Sequence, residues 1–137
     1  MTQPPATSAP YALVVDDDAL VRMTAADILE DAGFQTLEAS TGDEAIALLA
    51  EKHATIALLF TDVQMPGSRD GYAVARETAD LWSHISIVVA SGRAYPAPGD
   101  MPDGAVFINK PFSAKVVRAH LNEILPDGQK PQLLRED

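Results

Sequence analysis

Three consecutive aspartates, Asp16, Asp17 and Asp18, follow the apolar run Tyr11–Val15, and a fourth, Asp62, follows a second apolar run at residues 56–61. Apolar runs this short fit strands buried on both faces, so the carboxylates stand at strand ends. Carboxylates converging on one crevice repel one another unless some ionise poorly or a cation joins them. Mg²⁺ suits such a place, because it takes one or two carboxylates, several waters and phosphate oxygens. Adjacent aspartates at a strand end point in different directions. Asp16 and Asp17 lie nearest the crevice, whereas Asp18 fits as the N-cap of the next helix. Taken alone, the three aspartates read equally as a solvated loop with a helix cap. They become specific only in combination.

The elements that must position these residues follow from hydrophobic period. Short apolar runs alternate five times with longer stretches, most of them amphipathic. The first strand, Tyr11–Val15, leads to a helix over 19–32, with Val21, Ala25, Ile28, Leu29 and Ala32 on one stripe and Gly33 as its stop. The second strand, Gln35–Ala39, alternates polar and apolar residues, as an edge strand does. A capping-box pattern, Thr41 to Glu44, opens a helix that buries Ala45, Leu48 and Leu49. A third strand at 56–61 precedes a loop at 62–70 and a helix at 71–82. The fourth strand is expected at 85–90 and the fifth at 105–108. A helix at 113–125 then buries Val117, Leu121 and Ile124, and Pro126 ends it. Between the fourth and fifth strands, residues 92–104 carry Pro96, Pro98 and Pro102, which leave room for one helical turn at most.

Strands alternating with helices predict a parallel sheet covered on both faces, an α/β fold of the flavodoxin-like kind. With five strands the common order is 2-1-3-4-5. The first and third strands are then neighbours at the switch point, where ligands bind beyond the strands' C-terminal ends.

At 137 residues and 47% apolar composition, one globular domain is expected. It is expected to span 11–125, with a flexible lead at 1–10 and a flexible, charged tail at 126–137. The net charge of −10, from 20 acidic and 10 basic residues, opposes nucleic-acid binding and favours cations and basic partner surfaces. No cysteine is present, which excludes disulfides and thiol chemistry. No apolar run suits a bilayer, and Met1 to Pro10 lacks the features of a signal peptide, so a cytoplasmic protein is expected.

The chain resembles the receiver domain of bacterial two-component response regulators over about residues 11–125. The resemblance is carried by LVVDDD (13–18), TDVQMP (61–66), DGY (70–72), ASG (90–92) and FINKPF (107–112), in family order and spacing. It implies that Asp62 is the phosphoacceptor, attacking a phosphohistidine to give an aspartyl phosphate. It also implies Mg²⁺ held by Asp17 directly, Asp16 partly through water, Asp62 and the Gln64 backbone carbonyl. Lys110 would neutralise phosphoryl oxygens, Ser91 would hydrogen-bond the phosphoryl group, and Phe107 would be the switch aromatic. Gln64 and Arg93 would tune phosphoryl lifetime, and the peptide before Pro111 would be cis. The implied partners are a sensor histidine kinase, a histidine phosphotransfer protein and an unidentified downstream protein.

Two departures from the family pattern stand out. The loop after Asp62 is one residue longer than usual, and the proline-rich stretch replaces the family's fourth helix. Only twelve residues follow Leu125, so a stand-alone module acting through other proteins is expected. The main alternative is a receiver-like interaction module that is never phosphorylated. Asp16 and Asp18 superficially match the D-x-D of haloacid-dehalogenase-type phosphohydrolases, but that leaves Asp62 unexplained. A flavin binder needs a phosphate loop where three aspartates stand.

Overall fold

In the computed structural model, which describes residues 9–93 and 95–135, the wholly apolar Tyr11–Val15 forms β1 in the interior of a five-stranded parallel sheet. The other strands are β2 (Gln35–Ala39), β3 (Ile56–Asp62), β4 (Ser86–Ser91) and β5 (Val106–Asn109). Their order is β2-β1-β3-β4-β5, as the alternating pattern predicts. β2 is an edge strand, which explains its alternating polarity.

Three strands run one residue further than the hydrophobic pattern indicates. Ladder pairing, not apolarity, sets where they stop: Asp62 pairs with Ala90 and Ser91 pairs with Asn109. Asp62 and Ser91 are therefore the last residues of β3 and β4 rather than the first residues of loops. That fixes their backbones in the sheet.

The helices divide between the two faces. α1 (Ala19–Asp31) and α4 (Ala114–Ile124) cover one face, burying Ala25, Leu29, Val117 and Leu121 against Val14, Phe60 and Ile108. α2 (Gly42–Lys52) and α3 (Gly71–Leu81) cover the other, burying Ala45, Leu49, Val74 and Ala75 against Leu13, Leu59 and Val89. Gly33 ends α1 at φ +105°, a conformation that disfavours any residue with a Cβ. The α2 capping box is altered. Thr41 Oγ1 accepts from Glu44 N at 3.1 Å, but Glu44 reaches back to Ser40 N at 2.8 Å rather than to Thr41.

Among the described residues no helix lies between β4 and β5, as the three prolines predict. The segment is anchored all the same. Met101 and Ala105 pack on the α2/α3 face, Arg76 Nη1 donates to the Asp100 carbonyl at 2.8 Å, and Tyr95 meets Phe107 with ring centroids 5.6 Å apart.

Both ends of the described chain make contacts with the rest of the fold. Residues 1–8 of the expected flexible lead lie outside the described residues. Ala9 and Pro10 are tied to β2, their carbonyls accepting from Gln35 Nε2 and Gln35 N, both at 3.0 Å. After Pro126, the chain makes a 3₁₀ turn at Asp127–Gln129 and one helical turn, α5 (Gln132–Arg135). Leu134, fully buried, joins the α1/α4 core, and the buried Pro131 lies against Gly33, where a Cβ would come 2.7 Å from the proline ring. Burial of the apolar Pro131 and Leu134 favours order in 126–135, within the segment that the sequence reads as a flexible tail. Leu134→Ala is expected to lower unfolding free energy by about 2–5 kcal/mol in urea titration, whereas the half-exposed Leu133→Ala stays within about 0.5 kcal/mol. A free tail would give no loss in either.

Candidate functional site

The register of β1 and β3 sets the site. Val15 pairs with Thr61, so the residues that follow them, Asp16 and Asp62, leave adjacent strands side by side at the switch point. Asp18 caps α1, its Oδ1 accepting from Leu20 N at 2.9 Å and Val21 N at 3.1 Å, which takes it out of the crevice. Asp16, Asp17 and Asp62 face one another instead, each offering a carboxylate oxygen within 4.8 Å of the others. Asp16 and Asp62 are buried and Asp17 is exposed.

Lys110 arrives from the end of β5. Its backbone N donates to the Ser91 carbonyl at 3.0 Å, and the Lys110–Pro111 peptide is cis, as the resemblance implies. The ammonium Nζ donates to Asp16 Oδ2 and to Asp62 Oδ1, both at 2.9 Å. One cation between two carboxylates cannot satisfy both. Burial pushes the Asp62 carboxyl above the usual carboxylate range and Asp16 adds to the rise, with the Lys110 hydrogen bond pulling only partly the other way. Burial works against the Lys110 ammonium, but its hydrogen bonds to Asp62 and Asp16 outweigh it and the group is held above its ordinary value. The ammonium therefore stays charged, and Asp62 is the strained member of the group.

Three carboxylates and one ammonium leave two negative charges without a partner in the cluster. The donors are all hard oxygens gathered at one point, two of them screened from water. That donor set fits a divalent cation such as Mg²⁺.

The remaining predicted residues take different places. Ser91 is buried at the end of β4, next to the strand that carries Asp62, and its Oγ accepts from Arg93 N at 3.3 Å. Gln64 and Arg93 are exposed. Phe107 is half-buried under Tyr95 on the α2/α3 face, apart from the carboxylate cluster.

Several residues that shape the site were not singled out by sequence patterns. Arg22 reaches from α1 to donate to the Asp16 carbonyl at 2.8 Å and pairs with Glu38 on β2, which holds the turn after β1. The hydroxyl of Thr61, wholly buried, donates to the Asp62 carbonyl at 2.9 Å. Gly71 lies directly against Asp62: a Cβ there would sit 1.8 Å from the Asp62 carbonyl oxygen, while its N–H donates to the Val63 carbonyl at 2.8 Å. Only glycine lets the α3 N-terminus approach this closely. Its place in DGY was the available signal, but a close approach of backbones has no side-chain pattern to announce it.

A doubly wound parallel sheet that gathers three carboxylates and a lysine at its switch point defines a class, the α/β modules with an acidic pocket beyond their strands' C-terminal ends. The response regulator receiver domain model matches residues 12–122, and the chain belongs to that family. It is 34% identical over 118 residues to the sensor kinase CckA of Brucella abortus (strain 2308), covering 82% of this chain and 12% of that protein. Protein PilG of Pseudomonas aeruginosa is 29% identical over 123 residues, 83% of this chain and 89% of its own length. Among solved structures, the receiver domain of the hybrid histidine kinase CckA matches with a TM-score of 0.72 and 30% identity, covering 85% of this chain and 99% of that one. A response regulator receiver protein from Sinorhizobium medicae WSM419 matches with a TM-score of 0.75 and 27% identity, covering 88% and 97%. The chain spans only part of several curated relatives, such as 50% of the probable transcriptional regulator ycf27 of Cyanophora paradoxa.

Proposed function

We propose that this chain is a phosphoacceptor signalling protein that takes a phosphoryl group on Asp62 from a sensor histidine kinase or a histidine phosphotransfer protein. The observation that carries this is the sharing of one ammonium by Asp16 and Asp62, at 2.9 Å each, inside a three-carboxylate cluster. An Asp62 carboxylate oxygen attacks phosphorus, forming the new P–O bond as the bond from phosphorus to the donor's imidazole nitrogen breaks. The departing electron pair stays on that nitrogen. Transfers of this kind depend on alignment and charge neutralisation more than on acid–base chemistry.

Asp16, Asp17, Asp62 and the Gln64 carbonyl would hold Mg²⁺, which when bound neutralises charge on the phosphoryl oxygens. Lys110 stays charged and shifts from Asp62 to an incoming phosphoryl oxygen, while the Ser91 hydroxyl donates to another. Gln64 and Arg93 flank the acyl phosphate and govern the access of water to it. The chain's own chemistry is limited to acquiring and slowly losing this group, so its output runs through a downstream protein partner. The acidic surface opposes contact with nucleic acid. Among the described residues no helix is long and apolar enough to cross a membrane. Incubation with acetyl phosphate and Mg²⁺ tests the assignment. A mass gain of one phosphoryl group is expected, and a phosphorylation-independent module would gain none.

In place of the family's fourth helix, residues 92–104 lie between Ser91 and Phe107, the two ends of the proposed switch. They are held by the Tyr95–Phe107 contact, the Arg76–Asp100 hydrogen bond and a turn in which Ala97 N donates to Asp100 Oδ2 at 2.7 Å. Phosphorylation is expected to reorder this segment when Ser91 turns to the phosphoryl group. Amide exchange with and without beryllofluoride should change within 92–104, and unchanged protection throughout would contradict the coupling.

A further inference from the structure

The backbone leaving Asp62 must turn back at once, because Gly71 N donates to the Val63 carbonyl at 2.8 Å and draws both ends of residues 64–70 together. Between those ends Gln64, Pro66, Gly67, Ser68 and Asp70 are exposed, so burial does little to order the loop. Charge does more. Asp43, in the first turn of α2, accepts from Ser68 N at 3.3 Å, Ser68 Oγ at 2.8 Å and Arg69 Nη1 at 2.5 Å. Arg69 also donates through Nε to one carboxylate oxygen of Glu77 on α3, and through Nη2 to the other at 3.3 Å. This is a forked pairing, which fixes direction as well as distance. The Arg69 backbone rests on Gly42, where a Cβ would come 2.8 Å from the Arg69 carbonyl oxygen. A single side chain thus clasps the loop to both helices that flank it.

We propose that Arg69 is a positioning residue: by bridging Asp43 and Glu77 it holds residues 64–70 in the arrangement that lets the Gln64 carbonyl join Asp16, Asp17 and Asp62 at the metal. This rests on the phosphoacceptor function argued above. The guanidinium is engaged by Asp43 and Glu77, so its effect passes through the backbone and not through contact with the phosphoryl group. The clasp also answers a physical need. A loop longer by one residue has more conformations to lose each time a metal binds, and a fixed loop has lost them beforehand.

The test compares wild type with Arg69→Met, Arg69→Lys and Glu77→Gln, using Mg²⁺ alone as the probe and calorimetry as the readout. In Arg69→Met the amides of residues 64–70 should exchange faster in metal-free protein. Its Mg²⁺ dissociation constant should rise about tenfold, the effect of ordering roughly one more backbone residue on binding. Uptake from acetyl phosphate at saturating Mg²⁺ should stay within about twofold of wild type, as expected when only the metal-binding step is weakened. Arg69→Lys should recover part of the affinity, since lysine keeps the charge but not the fork. Glu77→Gln, which leaves the Asp43 half of the clasp intact, should fall between. Unchanged exchange and Mg²⁺ affinity in Arg69→Met would overturn the inference, as would a fall in the saturating rate with affinity preserved. A wild type that neither binds Mg²⁺ nor takes up phosphate would instead sink the phosphoacceptor function itself.

Discussion

Replacing Asp62 with alanine or asparagine is expected to abolish phosphoryl uptake from acetyl phosphate in the presence of Mg²⁺, read as the intact mass. The position is set by the sheet, since Asp62 closes β3 and pairs with Ala90, so no neighbouring carboxylate can take its place without breaking the ladder. Asp16 and Asp17 lie in the same cluster, but both leave β1 rather than β3. The asparagine variant should keep the fold. The sign of its stability change follows from the raised pKa of Asp62. A carboxyl that holds its proton more tightly when folded than unfolded destabilises the metal-free fold once ionised. That penalty is present above the folded pKa and vanishes as pH falls below the unfolded one. At neutral pH, metal-free Asp62→Asn should therefore melt no lower than wild type, and its margin should shrink on acidification. Retained uptake in both variants would place the acceptor elsewhere.

The second large effect is at Lys110, where the variant should move two quantities in opposite directions. In Lys110→Met, phosphoryl uptake should slow by about 10²–10³, the usual loss when one charged donor to a transition-state oxyanion is removed. Mg²⁺ binding should tighten at the same time, because the ammonium now bonded to Asp16 and Asp62 competes with the ion for the same oxygens. The repulsion between one unit charge and a divalent ion about 5 Å apart corresponds to roughly fifteenfold in affinity if screened as in bulk water, and to more in a half-buried pocket. Slower transfer with tighter metal separates a catalytic charge from a structural one. A merely structural lysine would weaken both together.

Legibility in the sequence followed how local each cause is. The strands, the 2-1-3-4-5 order and the convergence of Asp16, Asp17 and Asp62 were readable, because apolar runs and strand-end aspartates are local signals that the parallel topology brings together. Asp18 was assigned to the α1 cap rather than the metal on the same grounds, and its bonds to Leu20 N and Val21 N bear that out. The absent helix between β4 and β5 followed from Pro96, Pro98 and Pro102. Strand ends were short by a residue at Asp62, Ser91 and Asn109, because polar residues at ladder ends look like loop. The clasp at Arg69 was not legible. Its partners Asp43 and Glu77 lie 26 and 8 positions away, and charged residues on exposed helix turns are too common to signal a pairing. Leu134 was missed for a related reason. A lone leucine pair in a polar tail shows no period, and its burial depends on the distant Gly33 end of α1 leaving room for Pro131.

One particular aspartate, clustered with the β1 acidic pair and Lys110, is expected to carry the phosphoryl group. Wild-type protein phosphorylated with acetyl phosphate, reduced with borohydride to trap the acyl phosphate, digested and sequenced by tandem mass spectrometry tests it directly. The modification should fall on residue 62 alone; a trapped adduct on Asp16 or Asp17, or a stable phosphate on a serine, threonine or histidine with residue 62 intact, would show that Asp62 is not the acceptor.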